Sequence, residues 1–479
     1  MASDTAKDAS CCLGRATIKD GGTVRTKRMP NEGLQRGFGL STSTYVVIAS
    51  MVGTGILVSP GYMMASLQNY PVIFGLWALG GLLAMCGALC VAELAAALPR
   101  SGGEYVYLRE AYGPMPAFLS GWTSFFVGFS APLAMAGYIA AKYLLTPFGL
   151  AEKETGLIIK TTAAAIIVAV TLPNLFGHRQ SAWTQNLTTL LKLGLFVVLV
   201  ALAFLFGKGR MANIVEGQAI GKIQLGTAAT QLFYVMFAYS GWNAASYLAG
   251  EVKNPARILP RSLLLGAGLV IVLYLALNLV FAYAVPLADV GLDTAMEERI
   301  PQLAVEKLFG PQVSSVFSVL LGLTFLATVS AFIITGPRIY YAMAKDGLFP
   351  SIAEHLSSKG RVPVYAMLAQ SVCAVIILFV TDFKYLYQYT SVGLSLFALL
   401  FVGAVYVLRL RRPDIERPFR VPGYPVVPGI FMAVILFMGV FAFIQWPKPS
   451  VYSLGSILLG IPVYYIWSFV RGSARQNGN

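Results

Sequence analysis

The sequence predicts an all-α polytopic membrane protein with twelve transmembrane helices. Of its 479 residues, 57% are hydrophobic and only 12% are charged, and the mean hydropathy is +0.70. A soluble chain of this size does not need so much apolar surface. The apolar residues form runs of about 20 or more, long enough to cross the hydrocarbon core. The predicted segments cover residues 37–66, 71–98, 115–145, 157–176, 183–207, 226–250, 262–286, 312–342, 362–381, 385–408, 424–446 and 451–471.

The basic residues predict how these segments are oriented. A net charge of +14 would suggest a nucleic-acid partner for a soluble protein, but here the positive-inside rule accounts for it. If the N-terminus is inside, 24 lysines and arginines lie on the inner side and 10 on the outer. We therefore expect both termini in the cytoplasm, a plasma or inner membrane location, and no nucleic-acid partner. The polar tails are residues 1–36, expected to be mostly disordered, and 472–479.

Two of the segments are interrupted at membrane depth. Gly53-Thr54-Gly55 stands in the middle of segment 1, and Ser240-Gly241 stands in segment 6. Glycine is a poor helix former, and non-helical backbone at this depth is tolerated only against protein or a polar cavity. Close packing of helices through small residues explains either interruption alone equally well. The freed N–H groups after the first break would suit an anion such as a carboxylate.

The positions of the two breaks predict the domain organisation. Breaks in segments 1 and 6 divide the first ten segments into two sets of five, which is typical of inverted-repeat transporters with a midplane site. The transporter core would then cover residues 37–408, with repeats at about 37–207 and 226–408. The last two segments, in residues 424–471, would be an addition to this core.

Several stretches resemble one family of transporters. They are VGTGILVSP at 52–60, AELAAALPRSGGEYVYLREAYGP at 92–114, FAYSGWNAA at 237–245, GEVKNPARILP at 250–260, RIYYAMAKDGLFP at 338–350 and RPFRVPGYPVVP at 417–428. With them the chain resembles the amino acid–polyamine–organocation superfamily, and within it the L-type amino acid transporters, from about Phe38 to Pro428. The resemblance implies the LeuT-type five-plus-five inverted repeat, with broken helices 1 and 6, and amino acid transport.

The resemblance also implies how a substrate is held. Backbone N–H groups would bind its carboxylate, and backbone carbonyls would accept from its α-ammonium group, so that together they select a zwitterion. The N–H groups are those of Thr54 and Gly55, with the Thr54 hydroxyl nearby, and the carbonyls are those of Met51, Phe237, Ala238 and Ser240.

Three side chains would also act at the site by the same resemblance, Phe237 and Lys192 in gating or coupling and Asn243 in substrate binding. Phe237 would be an aromatic lid over the substrate, although ordinary packing is the usual fate of a phenylalanine. Asn243 would hydrogen-bond near the unwound turn, or else make an interhelical polar contact. Lys192 lies about ten residues from either end of segment 5, roughly 15 Å, and an intramembrane charge is a functional candidate. It would reach segment 1 and occupy the region where sodium binds in sodium-coupled relatives, unless it snorkels to the interface.

Other features narrow the function. No catalytic cluster, metal-ligand spacing or phosphate loop is visible at membrane depth, so we expect no enzyme, cofactor or metal. Glu93 and Glu104 fit cytoplasmic helix ends, with Arg100 and Arg109 as candidate partners. Animal L-type transporters are tied to a heavy chain through a cysteine between segments 3 and 4, but residues 146–156 contain none. We therefore expect no disulfide-linked heavy chain.

The acidic residues predict the charge of the substrate. A buried cationic side chain would need an anionic partner, yet segment 3 from Ala117 to Tyr138, segment 8 from Gly322 to Thr335 and segment 10 from Tyr385 to Leu408 contain no acid. The sequence thus favours a sodium-independent exchanger or facilitator of neutral L-amino acids across the plasma membrane. A cationic amino acid or polyamine carrier of the same fold is the alternative, and an amino acid sensor is a third hypothesis.

Overall fold

The computed structural model describes residues 15–20, 23–28, 37–100, 102–150, 156–176, 181–290, 297–357 and 362–476. In the tail, Arg15–Asp20 (β1) and Thr23–Arg28 (β2) pair as an antiparallel hairpin, with Arg15 opposite Arg28. The sequence analysis did not predict this hairpin, although Thr17, Ile18 and Val24 are residue types that favour strands. The rest of residues 1–36 lies outside the described residues, and disorder there stays a prediction.

From residue 37 onward, the regular elements within the described ranges are all helical. The first half contains Leu40–Met51 (α1), Gly55–Leu67 (α2), Tyr70–Ala97 (α3), Glu104–Tyr112 (α4), Pro114–Thr123 (α5), a π-helical turn at Ser124–Ser130, Ala131–Leu145 (α6), Gly156–Leu175 (α7) and Ser181–Phe206 (α8). The second half contains Leu225–Ala238 (α9), Ala244–Tyr247 (α10), Pro255–Ala284 (α11), Ile300–Phe309 (α12), Pro311–Lys345 (α13), Val364–Val380 (α14), Phe383–Arg411 (α15), Val426–Gln445 (α16), Pro447–Leu458 (α17) and Gly460–Gln476 (α18). Short 3₁₀ turns occupy Thr146–Phe148, Met211–Val215, Ile220–Lys222, Ala249–Glu251, Leu287–Asp289 and Ser351–Glu354.

Nine helical stretches in the described part of the chain are long and apolar enough to cross a membrane. The shorter apolar helices Leu190–Phe206, Leu225–Ala238 and Val364–Val380 fall in predicted segments 5, 6 and 9. The chain is therefore a multi-pass membrane protein of helices, as its composition predicts. A count of twelve spans stays a prediction.

The helix boundaries follow from local sequence. The side chain of Asn69 accepts a hydrogen bond of 2.9 Å from the Val72 N–H and so caps α3. Gly113, at a φ of +95°, separates the short α4 from the helix that begins with Pro114. Gly310, at a φ of +93°, separates the short α12 from α13 in the same way. Each half of the chain thus repeats a short helix, a left-handed glycine and a proline that starts a long helix.

Candidate functional site

The first helix break lies where the glycines predict it. Helix α1 ends at Met51, and α2 begins at Gly55 after three residues that lie outside both helices. Val52 has φ −77° and ψ 82°, and the Gly53 N–H turns back to donate to the Met51 carbonyl at 2.8 Å. The first N–H groups of α2 have no acceptor within their own helix, as at every helix start. These N–H groups lie in the interior of the protein, because Gly55 and Ile56 are buried.

The second break also lies at the predicted position. Helix α9 ends at Ala238, and α10 begins at Ala244. Between them Gly241 takes a φ of +96°, a left-handed conformation that glycine adopts without strain. The Ser240 N–H donates to the Phe237 carbonyl at 2.9 Å, which closes the last turn of α9. The chain thus leaves the helical path for five residues inside the protein.

The two breaks are in direct backbone contact with each other. A Cβ atom placed on Gly55 would lie 2.3 Å from Cα of Ala238, and one placed on Gly241 would lie 2.8 Å from the carbonyl of Ser50. Only glycine leaves room for this approach. The start of α2 and the end of α9 therefore meet, which brings free N–H groups and chain carbonyls to one place.

Tyr274 on α11 joins the two breaks, although the sequence did not predict it as a site residue. Its hydroxyl lies 2.7 Å from the Met51 carbonyl oxygen and 3.2 Å from that of Ala238, and its side chain is fully buried. Both carbonyls were predicted to accept from a substrate ammonium group. In this structure the tyrosine proton is shared between them. The only sequence signal was a tyrosine in the middle of an apolar segment, and tyrosine is too common here to stand out.

Phe237 is buried and packs against another aromatic ring. Its side chain is 7% exposed, and its ring centroid is 4.4 Å from that of Tyr387 on α15. The Tyr387 hydroxyl is 2.7 Å from the Ser59 hydroxyl, and Ser59 donates to the Tyr234 carbonyl at 2.9 Å. These contacts connect α2, α9 and α15 directly beside the second break.

Lys192 reaches the first break. Its side chain is 2% exposed, and its ammonium group donates to the carbonyl of Val52. It also donates to the Thr328 hydroxyl at 3.0 Å and lies 5.5 Å from the centroid of the Phe325 ring. The lysine thus does not snorkel to the interface. It connects α8 and α13 to the carbonyl in the centre of the break.

Asn243 closes the second break through a carboxylate. Its amide donates to Glu104 Oε1 at 2.6 Å and lies 3.4 Å from the Tyr247 hydroxyl. The carboxyl group of Glu104, on the connecting helix α4, is partly buried, and burial raises its pKa to about 7. The polar contact of Asn243 is therefore with protein rather than with open space.

The arginines near Glu104 have other partners than predicted. Arg100 pairs with Glu110 at 3.2 Å, and Arg109 pairs with Asp346. Glu93 instead binds Arg409, at 2.5 Å. Sequence proximity suggested the wrong pairs because Arg109 and Glu93 reach residues far along the chain, Asp346 after α13 and Arg409 on α15.

An ion-pair cluster lies on the opposite side of the breaks. Glu298 accepts from Lys142 at 2.6 Å and from the Tyr62 hydroxyl at 3.0 Å. The adjacent Glu297 pairs with Lys384 at 2.9 Å. The segment before α12 is thereby fixed to α2, α6 and α15. The sequence did not predict the partners of these two lysines.

Comparison with known proteins adds evidence from outside the structure. A family model described as amino acid permease matches residues 38–467. The b(0,+)-type amino acid transporter 1 of Mus musculus is 28% identical, over 95% of this chain and 93% of the relative. The cystine/glutamate transporter of Homo sapiens is 26% identical, over 91% and 85%. The large neutral amino acids transporter small subunit 2 of Homo sapiens is 26% identical, over 90% and 80%.

Proposed function

The chain belongs to the amino acid permease family, as its motifs predict, and on this premise we propose that it is a sodium-independent secondary transporter of neutral L-amino acids. It would act as an exchanger or facilitator in the plasma or inner membrane, with both termini cytoplasmic. The similar proteins carry the names of amino acid transporters, which supports the substrate class. The carrier chemistry requires no enzyme activity and no cofactor.

The observation that carries this proposal is the contact between the two helix breaks. The N-terminus of α2 offers N–H groups and the positive end of a helix dipole, which attract a carboxylate. The end of α9 offers carbonyls, which accept from an ammonium group. An α-amino acid carries both charges on neighbouring atoms, so one small molecule satisfies both half-sites. The substrate ammonium would take the place of the Tyr274 hydroxyl, which is 2.7 Å from the Met51 carbonyl.

The architecture we propose is the LeuT-type five-plus-five inverted repeat with twelve spanning helices. The paired breaks support it, and so do the matching junctions at Gly113-Pro114 and Gly310-Pro311, each after a short helix. In such a fold the site lies between the repeats near the midplane. The core would comprise residues 37–408, with 424–471 added outside it.

Sodium independence is inferred from Lys192. A fixed ammonium group that donates to the Val52 carbonyl supplies the positive charge that a bound cation would bring to the broken helix. Its second contact, the Thr328 hydroxyl at 3.0 Å, is a group that could otherwise bind a metal ion. The lysine would thus occupy the cation position permanently.

Preference for neutral substrates follows from the walls of the break. The predicted site residues Met51, Thr54, Phe237, Ala238 and Ser240 are apolar or hydroxylated, and an unpaired cation at low dielectric costs several kcal/mol. The carboxylate of Glu104, beside the second break, already accepts a hydrogen bond from Asn243. A cationic amino acid or polyamine would therefore lack a partner for its side-chain charge.

We expect neutral amino acids to compete best in proteoliposomes. Purified protein is tested with radiolabelled alanine, serine, threonine, leucine and arginine, with and without internal amino acid. Uptake should be blocked by excess neutral amino acids, should be stimulated by internal substrate if the protein is an exchanger, and should not depend on sodium at constant ionic strength. If excess arginine, lysine or putrescine blocks uptake better than any neutral amino acid, the cationic carrier is the correct assignment. Binding without uptake would instead favour a sensor.

Phe237→Ala should reduce transport more than it reduces stability. The ring packs on Tyr387 at 4.4 Å, and a lid that excludes water acts through its bulk. Removing a buried phenylalanine ring costs about 3–5 kcal/mol at most, less at the edge of a cavity. We expect uptake to fall about tenfold or more and Phe237→Leu to recover part of it. An alanine variant that is well folded and transports at the parental rate would show that Phe237 has only a packing role.

We further propose that the protein works without a disulfide-linked heavy chain. The connection after α6 contains no cysteine between residues 146 and 156. The cysteines in the described part of the chain, Cys86, Cys90 and Cys373, are all free thiols. Migration of the membrane-extracted protein should therefore be the same with and without reductant.

A further inference from the structure

The connection between α3 and α4 is fitted against the inner half of the second broken helix. Gly102 and Gly103 both have positive φ, +128° and +53°, which allows a tight turn. The Gly102 N–H points to the Tyr247 carbonyl at 3.4 Å. A Cβ atom on Gly103 would lie 2.4 Å from the Tyr247 ring. The turn therefore lies directly on α10 and sets the position of the next residue, Glu104.

Glu104 makes the polar contact that fixes the end of the break. Its carboxyl group accepts from the Asn243 amide at 2.6 Å, and Asn243 is 8% exposed. Asn243 is the last residue before α10. A motion that separates the inner half of this helix from α4 must break this hydrogen bond and expose more of the carboxyl group to water.

We propose that Glu104 is a positioning residue that holds the inner half of the second broken helix through Asn243, and that its protonation strengthens this hold. The proposal rests on the transport function inferred above, because the inner half-helix must move for a substrate to leave on that side. Glu104 does not touch the substrate in this scheme. It sets how readily the site opens.

The surroundings of Glu104 make it the titrating group between pH 5 and 8. Tyr247 lies beside Glu104, and Tyr107 and Tyr340 are neighbours of Tyr247; all three are phenols, which are neutral in this range. The cations of the same connection are engaged elsewhere, since Arg100 and Arg109 pair with Glu110 and Asp346. Arg338 also faces another carboxylate, because its guanidinium group lies 4.0 Å from Glu251.

The direction of the pH effect follows from the two environments of the carboxyl group. In the packed conformation its pKa is about 7, raised by burial from 4.5, and a hydrated conformation would restore the ordinary value. The packed conformation therefore binds the proton more tightly and gains stability as the pH falls from 7 towards 4.5. Above pH 7 the packed conformation must hold a partly buried carboxylate, so conformations that hydrate Glu104 more fully become more favourable. With these values the equilibrium changes by at most about 20-fold between pH 7.5 and 5.5.

The test compares the parent with Glu104→Gln, which keeps the shape and the acceptor oxygen but does not titrate. Hydrogen–deuterium exchange of the segment 239–251 is measured at pH 7.5 and 5.5 and corrected for the intrinsic rate. In the parent, the corrected rate of hydrogen–deuterium exchange should be about threefold or more lower at pH 5.5 than at pH 7.5. The rate at which amino acids are transported should be lower by a similar factor. In Glu104→Gln both should be the same at the two pH values and should match the parent at pH 5.5. Glu110→Gln, on the same helix but paired with Arg100, is the matched control and should keep the parental pH profile.

The two readouts separate failure of this proposal from failure of the transport function. A parent whose segment 239–251 exchanges equally at both pH values would overturn the role of Glu104, as would a Glu104→Gln variant that keeps the parental pH response. If the parent transports no amino acid but shows pH-dependent protection of this segment, and Glu104→Gln loses that protection, the role of Glu104 is supported. The proposed transport function is then contradicted.

Discussion

Lys192→Ala is expected to remove most amino acid exchange in proteoliposomes, by about tenfold or more. The ammonium group donates to the Val52 carbonyl inside the first break and to the Thr328 hydroxyl at 3.0 Å, in a position that is 2% exposed. Its loss leaves a carbonyl in the protein interior without its partner, which costs about 1–3 kcal/mol. About 1.4 kcal/mol corresponds to a factor of ten in the equilibrium between two conformations. In most molecules the broken helix should therefore no longer have the geometry that binds substrate.

The control for this variant is Lys160→Ala. Lys160 also lies on an apolar helix, α7, but its ammonium group reaches only to backbone carbonyls at the end of α14, 3.2 Å from that of Thr381, so uptake should stay near the parental rate. Uptake by Lys192→Ala should be low in the presence and absence of sodium. Parental protein whose uptake rises steeply with sodium at constant ionic strength would contradict the role assigned to Lys192.

Gly55→Ala is expected to abolish transport and to lower the melting temperature. The new methyl group would be 2.3 Å from Cα of Ala238 and 2.7 Å from its Cβ. Main-chain atoms cannot give way as the end of a flexible side chain can, so α2 and α9 must separate. Overpacking of this kind costs about 1–3 kcal/mol or more, and separation of the helices destroys the place where N–H groups and carbonyls meet.

Gly194→Ala tests whether this loss is specific to the contact between the breaks. Gly194 lies on α8, and a Cβ atom placed there meets nothing within 4 Å. Alanine is a better helix former than glycine by about 1 kcal/mol, so this variant should be as stable as the parent or more so and should transport normally. If Gly55→Ala transports as well as Gly194→Ala does, the breaks need not touch for substrate binding.

The sequence by itself determined that the chain is a multi-pass membrane protein of helices and where two of these helices break. Hydropathy and glycine content are local properties, so the interruptions at Gly53 and Ser240-Gly241 could be read without knowing what packs beside them. The same holds for Lys192, because a charge far from both ends of an apolar segment needs a partner whatever the fold. The motifs around these positions identified the family, which the match over residues 38–467 confirms.

Only the tertiary structure decided which groups meet at the breaks. Tyr274 joins Met51 across 223 positions of the chain, and Asn243 meets Glu104 across 139. Neither pairing has a local signal, since nothing in the sequence near one partner indicates the other. The arginines closest to Glu104 in sequence pair elsewhere for the same reason. Hydropathy fixes how deep a residue lies, but the rotation and crossing of the packed helices fix what it faces, and these depend on contacts made along the whole chain.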